Sequence, residues 1–563
     1  LLVLVYLFAT AVSVVPRASF WGSYQRLQGT YTFLAYVVIG AVTWQGLRTR
    51  AQLERLLNAI VLASLPVALY GVLQRYGLDP LPWAGDVTER VTANLGNAIF
   101  IAAYLIMAFF VTLERAVARV ARLLREEGGS LADAFAGGVY LFVLGVQALS
   151  IYFRKSRGPW LGLLGGFYVF VLLSLVALRR SAPDRRPLGL RELGLAVGFA
   201  LLSPLLLGLP LLVGHATGQV TPLGLLGLVL FLAAYVGLVL SRRGHRWLWL
   251  SWLVQALLAV GFLVVFNLPR SPLVALRSVP GLGRLGEVFE TETGTGRVRV
   301  LIWEGAVEML KDNPLRTLVG YGPESMYVAY SPFYPADLAH YESRHASPDR
   351  SHNETFDALI TTGIIGFLVY IWLFIGIFLH ELRWLGFLPG RAKGRSWQYP
   401  LFLALAIAGA ALGALVPLAL DRSLRFSGVG LPVGLILGVA VYLAVSGFSS
   451  PEQAGPAPSF GERELVLVGV LAMIVAHFIE IHFGIAIAAT RVHFWLGLAV
   501  LLALGSGRLQ LEPGAEAAPV VARPEAVDTR RRKRRRHELQ APRVERDPWP
   551  YAGAVAAGLV CAL

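Results

Sequence analysis

The stretch SHNETFDALITTGIIGFLVYIWLFIGIFLH, residues 351–380, decides the fold. After its polar first residues it continues as an apolar run of about 20 residues, the length that a helix needs to cross the ~30 Å hydrocarbon core of a bilayer. Runs of similar length recur along nearly the whole chain, which has 563 residues and is 56% hydrophobic. We therefore predict an all-α fold, a polytopic transmembrane helical bundle.

The apolar runs form two groups of predicted spans separated by one long connection. The first group covers residues 1–268 and the second covers 352–508, while the connection 269–351 contains helix and turn signals of its own. Residues 509–548 are rich in Pro, Ala and charge and are predicted to be a basic, disordered cytoplasmic linker. Residues 549–563 are predicted to begin a further, truncated span. The other spans are predicted near 2–15, 29–47, 56–74, 94–113, 132–152, 159–178, 192–214, 220–241, 247–268, 355–380, 398–420, 428–449, 463–481 and 490–507.

The net charge of +15 is unevenly distributed between the predicted connections. ERAVARVARLLR (114–125), GRAKGR (390–395) and RRRKRRR (530–536) all fall on one side of the membrane if the spans alternate. Because cytoplasmic loops are enriched in Lys and Arg, this side is predicted to be the cytoplasm. The positive charge is then explained without a nucleic-acid partner, and the connection 269–351 becomes one large extracytoplasmic loop.

Several basic residues are predicted on the opposite side, where the charge bias disfavours them. A bound anion would account for them, because the planar guanidinium of arginine suits phosphate oxygens. The alternative is that each side chain reaches toward lipid headgroups, as basic residues near helix ends commonly do. These residues are Arg26 in SYQRLQG (23–29), Arg154, Lys155 and Arg157 in FRKSRGPW (153–160), and Arg297 and Arg299 in GTGRVRV (294–300).

Arg299 is predicted to lie on an amphipathic helix within the large loop. Thr293 or Thr295 can cap the start of this helix, and the pair Asn313-Pro314 ends it. Such a helix lies along the membrane or packs over the ends of the spans. It would hold Arg299 on a rigid element.

A histidine stands where the large loop meets the next span. Ser351 and Glu354 fit the capping-box pattern, so Ser351 is predicted to be the N-cap and His352 to lie in the first helical turn. The positive end of the helix dipole and the nearby arginines disfavour imidazolium, and a neutral imidazole can act as a general base. The alternative is a solvent-facing histidine beside a helix cap.

Two further groups of acid–base side chains occur in the sequence. The first lies on a polar stretch of the large loop, and either of its histidines could replace His352 as the base. The second lies near the end of a predicted span. Its spacing could suit a transition metal, but no further ligand motif supports one, so we predict a polar helix end that packs beside the site, and no metal site. The first group is His340 and His345 in HYESRHASPDR (340–350), and the second is His477, Glu480 and His482 in HFIEIH (477–482).

Four stretches of the chain together resemble the O-antigen ligase and polymerase superfamily of bacterial membrane glycosyltransferases. The most specific combination is R-x-x-x-W, followed by N-P…G-x-G and then by H-N…G-x-x-G. SYQRLQGTY (23–31) and HFGIAIAATRVHFW (482–495) also resemble a branch that often carries a C-terminal repeat domain, which is expected to have been cut off here. The four stretches are ERVTANLGNAIFIAAYL (89–105), SRGPWLG (156–162), RVLIWEGAVEMLKDNPLRTLVGYGPES (299–325) and SHNETFDALITTGIIG (351–366).

The resemblance implies a GT-C-like bundle in the bacterial inner membrane, with its active site on the extracytoplasmic face. The implied donor is a glycan linked to a polyprenyl pyrophosphate such as undecaprenyl pyrophosphate, and the implied reaction is an inverting, metal-independent transfer without a cofactor. By motif match, Arg157 and Arg299 would stabilise the pyrophosphate and His352 would be the catalytic base. The remaining predicted substrate-binding residues are Arg90, Arg26, Arg154, Lys155 and Arg297, the last without a clear match in the family.

The sequence leaves the acceptor open. Ligation to a lipid core, polymerisation of glycan repeat units and attachment to protein hydroxyls share a donor and differ only in the acceptor. A transporter of lipid-linked glycans is the alternative from another class, but it would favour repeated halves and ionisable groups near the middle of the membrane. The charges singled out above are predicted at the extracytoplasmic surface, which favours a transferase.

Overall fold

The chain folds into α-helices. The computed structural model describes residues 1–83, 85–123, 130–154, 156–181, 194, 245–268, 270–274, 277, 283–287, 290–342, 346–388, 397–448 and 461–511. These residues form sixteen α-helices and no β-strand, which confirms the predicted all-α class. The spans predicted near 192–214 and 220–241, most of the predicted linker 509–548 and the truncated span at 549–563 lie outside the described residues.

Most helices match the predicted spans to within a few residues, with two corrections. Helix Ala98–Leu123 continues about ten residues past the predicted end at 113, through most of the connection predicted at 114–125, and the span predicted near 2–15 is a helix of only ten residues. Their bounds in chain order are α1 Leu2–Ala11, α2 Pro16–Trp21, α3 Thr30–Gly46, α4 Arg50–Arg75, α5 Ala98–Leu123, α6 Leu131–Phe153, α7 Arg157–Ser181, α8 His245–Phe266, α9 Gly294–Asp312, α10 Pro314–Val319, α11 Met326–Ala329, α12 Glu354–Trp384, α13 Gln398–Asp421, α14 Ser427–Phe448, α15 Glu462–Glu480 and α16 Ala488–Gly505. Among the described residues, α4, α5, α6, α7, α12, α13, α14 and α16 are long and apolar enough to cross a membrane. The chain is therefore a polytopic helical membrane protein.

The core of the bundle is built around α15. This helix packs against α7, α5 and α16, and most of its side chains are buried. α5 in turn packs against α6 and α4, so that the apolar side chains of all these helices form one continuous cluster. Contact between helices in a bilayer depends on close packing rather than on release of water, which explains why glycines such as Gly162 and Gly166 of α7 face α15.

Helices α13 and α14 form a hairpin in which the two backbones touch. A Cβ atom added at Gly413 would collide with the carbonyl oxygen of Gly430, and one added at Gly434 would collide with that of Gly409. Small residues at this spacing allow membrane helices to approach closely. The glycines of the hairpin are therefore a packing requirement.

Ion pairs mark one end of the bundle. Glu462, at the start of α15, accepts from Arg50 of α4 at 2.7 Å and lies 3.1 Å from Arg122 of α5. The start of α4, the end of α5 and the start of α15 therefore meet at this end. The start of α7, the start of α12 and the end of α15 consequently lie toward the opposite end, where the predicted site residues are.

The segment between α8 and α12 covers that opposite end. As predicted, α9 carries Arg299 and is followed by Asn313, but Thr293 occupies the N-cap position without a side-chain hydrogen bond. The indole of Trp303 packs near Phe356 of α12, and these side chains belong to a second apolar cluster separate from the bundle core. α9 is thus fixed to the start of α12. The boundaries of the large loop, predicted at residues 269 and 351, are not tested by these contacts and stay a prediction.

Helix α12 is interrupted near its start. Gly363 has φ +67° and ψ −172°, which few residues other than glycine adopt. The break leaves carbonyl groups without helical partners, and the amides of Tyr321 and Gly322 donate to the carbonyls of Ile360 (2.7 Å) and Thr361 (3.1 Å). The glycine-rich turn after α10 therefore completes the backbone hydrogen bonding of α12.

Candidate functional site

His352 lies on a turn immediately before α12. Its φ is +57°, in the left-handed region that histidine seldom occupies. The prediction that Ser351 is the N-cap was wrong: Asn353 is the N-cap, and its Oδ1 accepts from the amide of Phe356 at 3.2 Å. His352 therefore precedes the helix instead of lying in its first turn.

The unusual turn is held by contacts on both sides. The carboxylate of Asp357 accepts from the amide of Ser351 at 2.8 Å and from its hydroxyl at 2.7 Å. The indole of Trp303 donates to the carbonyl of Ser351 at 2.9 Å. The amide side chain of Asn353 donates to the carbonyl of His482 at 3.0 Å, which ties the turn to the end of α15. Strained residues persist where the surrounding structure fixes them in this way, and they occur often at functional sites.

The imidazole of His352 is neutral at physiological pH. Burial and then the positive charge of Arg299 lower its pKa to about 4. The negative charge of Asp349 acts in the opposite direction and raises this pKa, but by less. The neutral form and the influence of a nearby arginine agree with the prediction, and burial is the larger cause. The ring makes no hydrogen bond with any residue that the structure describes. An unprotonated ring without a protein partner is able to take a proton from a ligand.

Arg299 faces two other arginines and one carboxylate. Burial lowers its pKa to about 10, the charge of Glu480 raises it, and the charges of Arg157 and Arg90 lower it further. Arg299 remains protonated at neutral pH, and these three neighbours lie within electrostatic reach of it. Its side chain makes no hydrogen bond or ion pair within the described part of the chain.

The other two arginines come from different parts of the bundle. Arg157 is the first residue of α7; it donates to the carbonyl of Glu287 and lies 3.2 Å from the carboxylate of the same residue. Arg90 is exposed and lies on the loop before α5, where its amide donates to the carbonyl of Asp86. The charges of Arg90 and Arg157, which come from two other parts of the chain, thus act on Arg299.

Arg26 is a further arginine whose charge acts on His352. It forms an ion pair with Asp349 at 2.6 Å, and the charges of both residues act on His352. Burial raises the pKa of Asp349, but the hydrogen bond and charge of Arg26 outweigh it and leave this pKa below its usual value. Arg26 thus holds the chain just before the His352 turn.

The remaining predicted substrate-binding residues have different surroundings. Arg154 is fully buried; it donates to the hydroxyl of Ser150 at 2.7 Å and to the carbonyl of Val91 at 3.4 Å, and burial lowers its pKa to about 9. It therefore holds the residue after Arg90, and this arrangement gives it no surface for a ligand. Arg297 forms an ion pair with Asp337 at 3.6 Å. Lys155 lies outside the described residues.

The polar groups at the end of α15 were predicted to be a polar helix end that packs beside the site. His482 is buried, and its Nδ1 lies 2.6 Å from the carbonyl oxygen of Phe478. Glu480 is 1% exposed and acts electrostatically on Arg299. Within the described part of the chain, no group of three or more His, Cys, Asp or Glu side chains is arranged to hold a metal ion. An acidic residue at the end of an otherwise apolar helix was the available signal for Glu480.

Sequence reasoning also missed Asp357 and Asn353, which shape the His352 turn. Asp357 lies one helical turn inside a predicted span, where a carboxylate is costly unless it is hydrogen-bonded. That signal could have identified it. Asn353 is adjacent to His352 in the sequence but carries no sign of its contact with residue 482.

Fold and site together define a multi-pass membrane protein with a cluster of arginines beside a neutral histidine. Residues 207–371 match the family model described as O-antigen ligase, which confirms the predicted resemblance to that superfamily. The matched segment includes Arg299 and His352, whereas Arg157 and Arg90 precede it. No curated protein and no solved structure matches the chain.

Proposed function

We propose that this protein transfers a glycan from a polyprenyl-pyrophosphate donor to an acceptor hydroxyl at the extracytoplasmic face of the bacterial inner membrane. The observation that carries the proposal is the grouping of Arg90, Arg157 and Arg299 beside an unprotonated His352. Three guanidinium groups provide the hydrogen-bond donors and charge that a diphosphate requires. The match to the O-antigen ligase family supports the same reaction class.

The reaction is a single displacement at the anomeric carbon of the donor. The acceptor oxygen forms a bond to this carbon while the bond from the carbon to the diphosphate oxygen breaks, and His352 takes the acceptor proton. The electron pair of the broken bond leaves with the diphosphate, so negative charge accumulates there in the transition state. Arg157 and Arg299 stabilise that charge. Attack opposite the leaving group inverts the anomeric configuration.

The low pKa of His352 is compatible with its role as the base. In the absence of donor, burial and then the charge of the neighbouring Arg299 keep the ring unprotonated. A bound diphosphate brings negative charge to the same position, which offsets Arg299 and raises the pKa of the ring. His352 therefore becomes a better proton acceptor once the donor is in place.

The position of the charges favours transfer over transport. The three arginines, His352 and Glu480 gather at one end of the bundle, whereas a transport site is expected near the middle of the membrane. The acceptor classes proposed are a lipid core, a growing glycan and a protein hydroxyl, all of which use the same donor chemistry.

The test is reconstitution of the purified protein in lipid nanodiscs. The protein is incubated with a polyprenyl-pyrophosphate glycan and each class of acceptor, and the products are analysed by mass spectrometry. We expect transfer of the intact glycan to one class of acceptor with release of polyprenyl pyrophosphate. A protein that binds the donor but yields no transfer product with any of the three classes would contradict the proposal.

A further inference from the structure

Arg90 is an exposed residue on a loop whose neighbouring residues are buried. Val91 and Ala93 are 0% exposed, and Ala93 has φ +40°, in the left-handed region that alanine seldom occupies. On the other side of Arg90, the carbonyl of Thr88 accepts from the side chain of Arg75 at 2.7 Å. The loop is therefore held in place both before and after Arg90.

Gln74, near the end of α4, binds the backbone of this loop. It is 0% exposed, and its Oε1 accepts from the amides of Thr92 at 3.2 Å and Ala93 at 2.6 Å. Its Nε2 donates to the carboxylate of Asp79 at 2.8 Å. A buried amide side chain is costly without hydrogen bonds, and those of Gln74 are made to the two ends of the loop between α4 and α5. Gln74 therefore joins these two ends.

Asp79 fixes the side chain of Gln74. The same carboxylate accepts from the hydroxyl of Tyr70 at 2.8 Å and from the indole of Trp83 at 2.7 Å. Burial raises the pKa of this carboxyl, but the hydrogen bonds that it accepts, first the one from Gln74, outweigh burial and lower the pKa to about 2. Asp79 is therefore charged at neutral pH, which strengthens its hydrogen bond with the Gln74 amide.

Arg154, directly after α6, holds the same loop through the carbonyl of Val91. The end of α4 leaves room for its buried guanidinium, because a Cβ atom added at Gly71 would collide with Nη2 of Arg154. The ends of α4 and α6 thus meet at residues 91–93. Together they determine where the backbone of Arg90 lies.

We propose that Gln74, fixed by Asp79, is a positioning residue that holds Arg90 in place to bind the donor diphosphate. The inference rests on the proposed function, in which Arg90 is one of the three arginines that bind this group. The arginine side chain is long and flexible, so a fixed backbone reduces the conformational freedom that is lost when the guanidinium binds. Loss of the Gln74 hydrogen bonds should therefore weaken diphosphate binding, although no charge is removed from the site.

The test measures binding of inorganic pyrophosphate to the full-length purified protein by isothermal titration calorimetry. In Gln74→Met, the length of the side chain is kept and its hydrogen bonds are lost. We expect the affinity for pyrophosphate to fall on the order of tenfold, the effect of losing one charge-assisted contact. In turnover assays, KM for the donor should rise by a similar factor with little change in kcat. Unchanged pyrophosphate affinity would overturn the proposal.

Gln147→Met is the matched control. Gln147 of α6 is also 0% exposed, and its side chain donates to Ser64 at 2.7 Å and to Thr112 at 3.0 Å inside the bundle. Both variants remove the hydrogen bonds of a buried glutamine, so we expect similar losses of thermal stability. Pyrophosphate affinity should fall only in Gln74→Met. If it falls equally in both variants, general destabilisation explains the result and the proposal is wrong.

Trypsin cleavage after Arg90 measures directly how firmly the loop is held. A protease cuts an exposed arginine faster when the surrounding segment opens locally. We expect faster cleavage after Arg90 in Gln74→Met and the wild-type rate in Gln147→Met. An unchanged rate in Gln74→Met would contradict the role of Gln74 in holding the loop.

A double-mutant cycle tests whether Gln74 acts through Arg90. In an Arg90→Ala background, Gln74→Met should weaken pyrophosphate binding no further, and a persistent loss would contradict positioning of Arg90. Should Gln74→Met fail to fold, Asp79→Asn removes the charge that fixes Gln74 and should weaken binding by a smaller factor; unchanged binding in that variant would overturn the proposal. Absence of pyrophosphate binding in the wild type, or wild-type affinity in Arg90→Ala, would instead refute the proposed donor site and this proposal with it.

Discussion

His352 has an unfavourable backbone conformation but a side-chain environment that suits a general base. A left-handed conformation costs a non-glycine residue roughly 1–3 kcal/mol, and the contacts of Asp357, Trp303 and Asn353 hold it in place. Burial and Arg299 then keep the ring unprotonated. Backbone and charge together leave the ring unprotonated and without a hydrogen-bond partner among the described residues.

Replacement of His352 by alanine should remove the base. We expect kcat to fall by about 10²–10⁴-fold, the usual contribution of a general base, with little change in donor affinity. Glycan transfer and pyrophosphate binding are measured on the same preparation. His380→Ala, which changes an exposed histidine at the other end of α12, should retain wild-type activity. Full activity of His352→Ala would rule out the assignment.

The pH dependence of kcat/KM measures the protonation of His352 in the free enzyme. Because its pKa is lowered to about 4, His352 in the free enzyme stays unprotonated as the pH falls from 7 to 5. We expect no loss of kcat/KM from this group in that range, and a loss only as the pH approaches 4. An inflection near pH 6.5 that disappears in His352→Gln would show that the ring is not shielded as described.

Arg299 should contribute to catalysis through both its charge and its shape. Arg299→Ala is expected to lower kcat/KM by about 10²–10³-fold, as removal of a transition-state donor does in other enzymes. Arg299→Lys keeps the charge but loses the bidentate fork, so its activity should lie between the two. Arg270→Ala changes an exposed arginine of the same loop and serves as the control. Equal activity of wild type and Arg299→Ala would contradict a role for this guanidinium.

At the scale of elements, the positions of the helices could be predicted from the local sequence, whereas contacts between residues distant in the chain could not. The span predicted near 355–380 corresponds to α12, and the helix predicted to end at Asn313 does so. The N-cap of α12 was misassigned because both Ser351 and Asn353 suit that role. The choice between them depends on the carbonyl of His482, which is 129 positions away from Asn353 in the chain.

The cap of α12 should matter more for activity than for stability. Asn353→Ala removes the N-cap, at about 1 kcal/mol, and also the link to His482. A displaced His352 should then reduce transfer by roughly 10–100-fold. Thr49→Ala removes the cap of α4 at a similar cost in thermal stability but far from the site. We expect similar melting temperatures and very different activities; equal activities would show that the turn does not position the histidine.

At the scale of the whole molecule, the sequence predicted the class and most of the spans. Apolar length alone specifies helices in a bilayer, because backbone polar groups must be satisfied within each span. The convergence of positions 90, 157 and 299 was expected from the charge bias and the resemblance. The burial of Arg154 was not predicted, because composition does not say which neighbours a polar side chain meets.

The predicted orientation can be measured by cysteine labelling. Cys561 is the only cysteine in the chain, so Cys561→Ser gives a background free of thiols. In intact spheroplasts, a membrane-impermeant maleimide should label His340→Cys on the large loop and should label Arg55→Cys at the start of α4 only after permeabilisation. Both original residues are exposed. The reverse pattern would place the site on the cytoplasmic side.

The interruption of α12 at Gly363 divides the helix into two parts with different partners. Residues 354–362 are fastened to α9 through Trp303 and to the glycine turn, whereas the rest of α12 belongs to the bundle core. A tilt at this interruption would carry His352 and Arg299 as one rigid unit past Arg157, opposed by the hydrogen bonds to residues 481 and 482. Such a tilt would change the separation between Arg157 and the other two residues, while the base and its neighbouring cation keep their mutual distance.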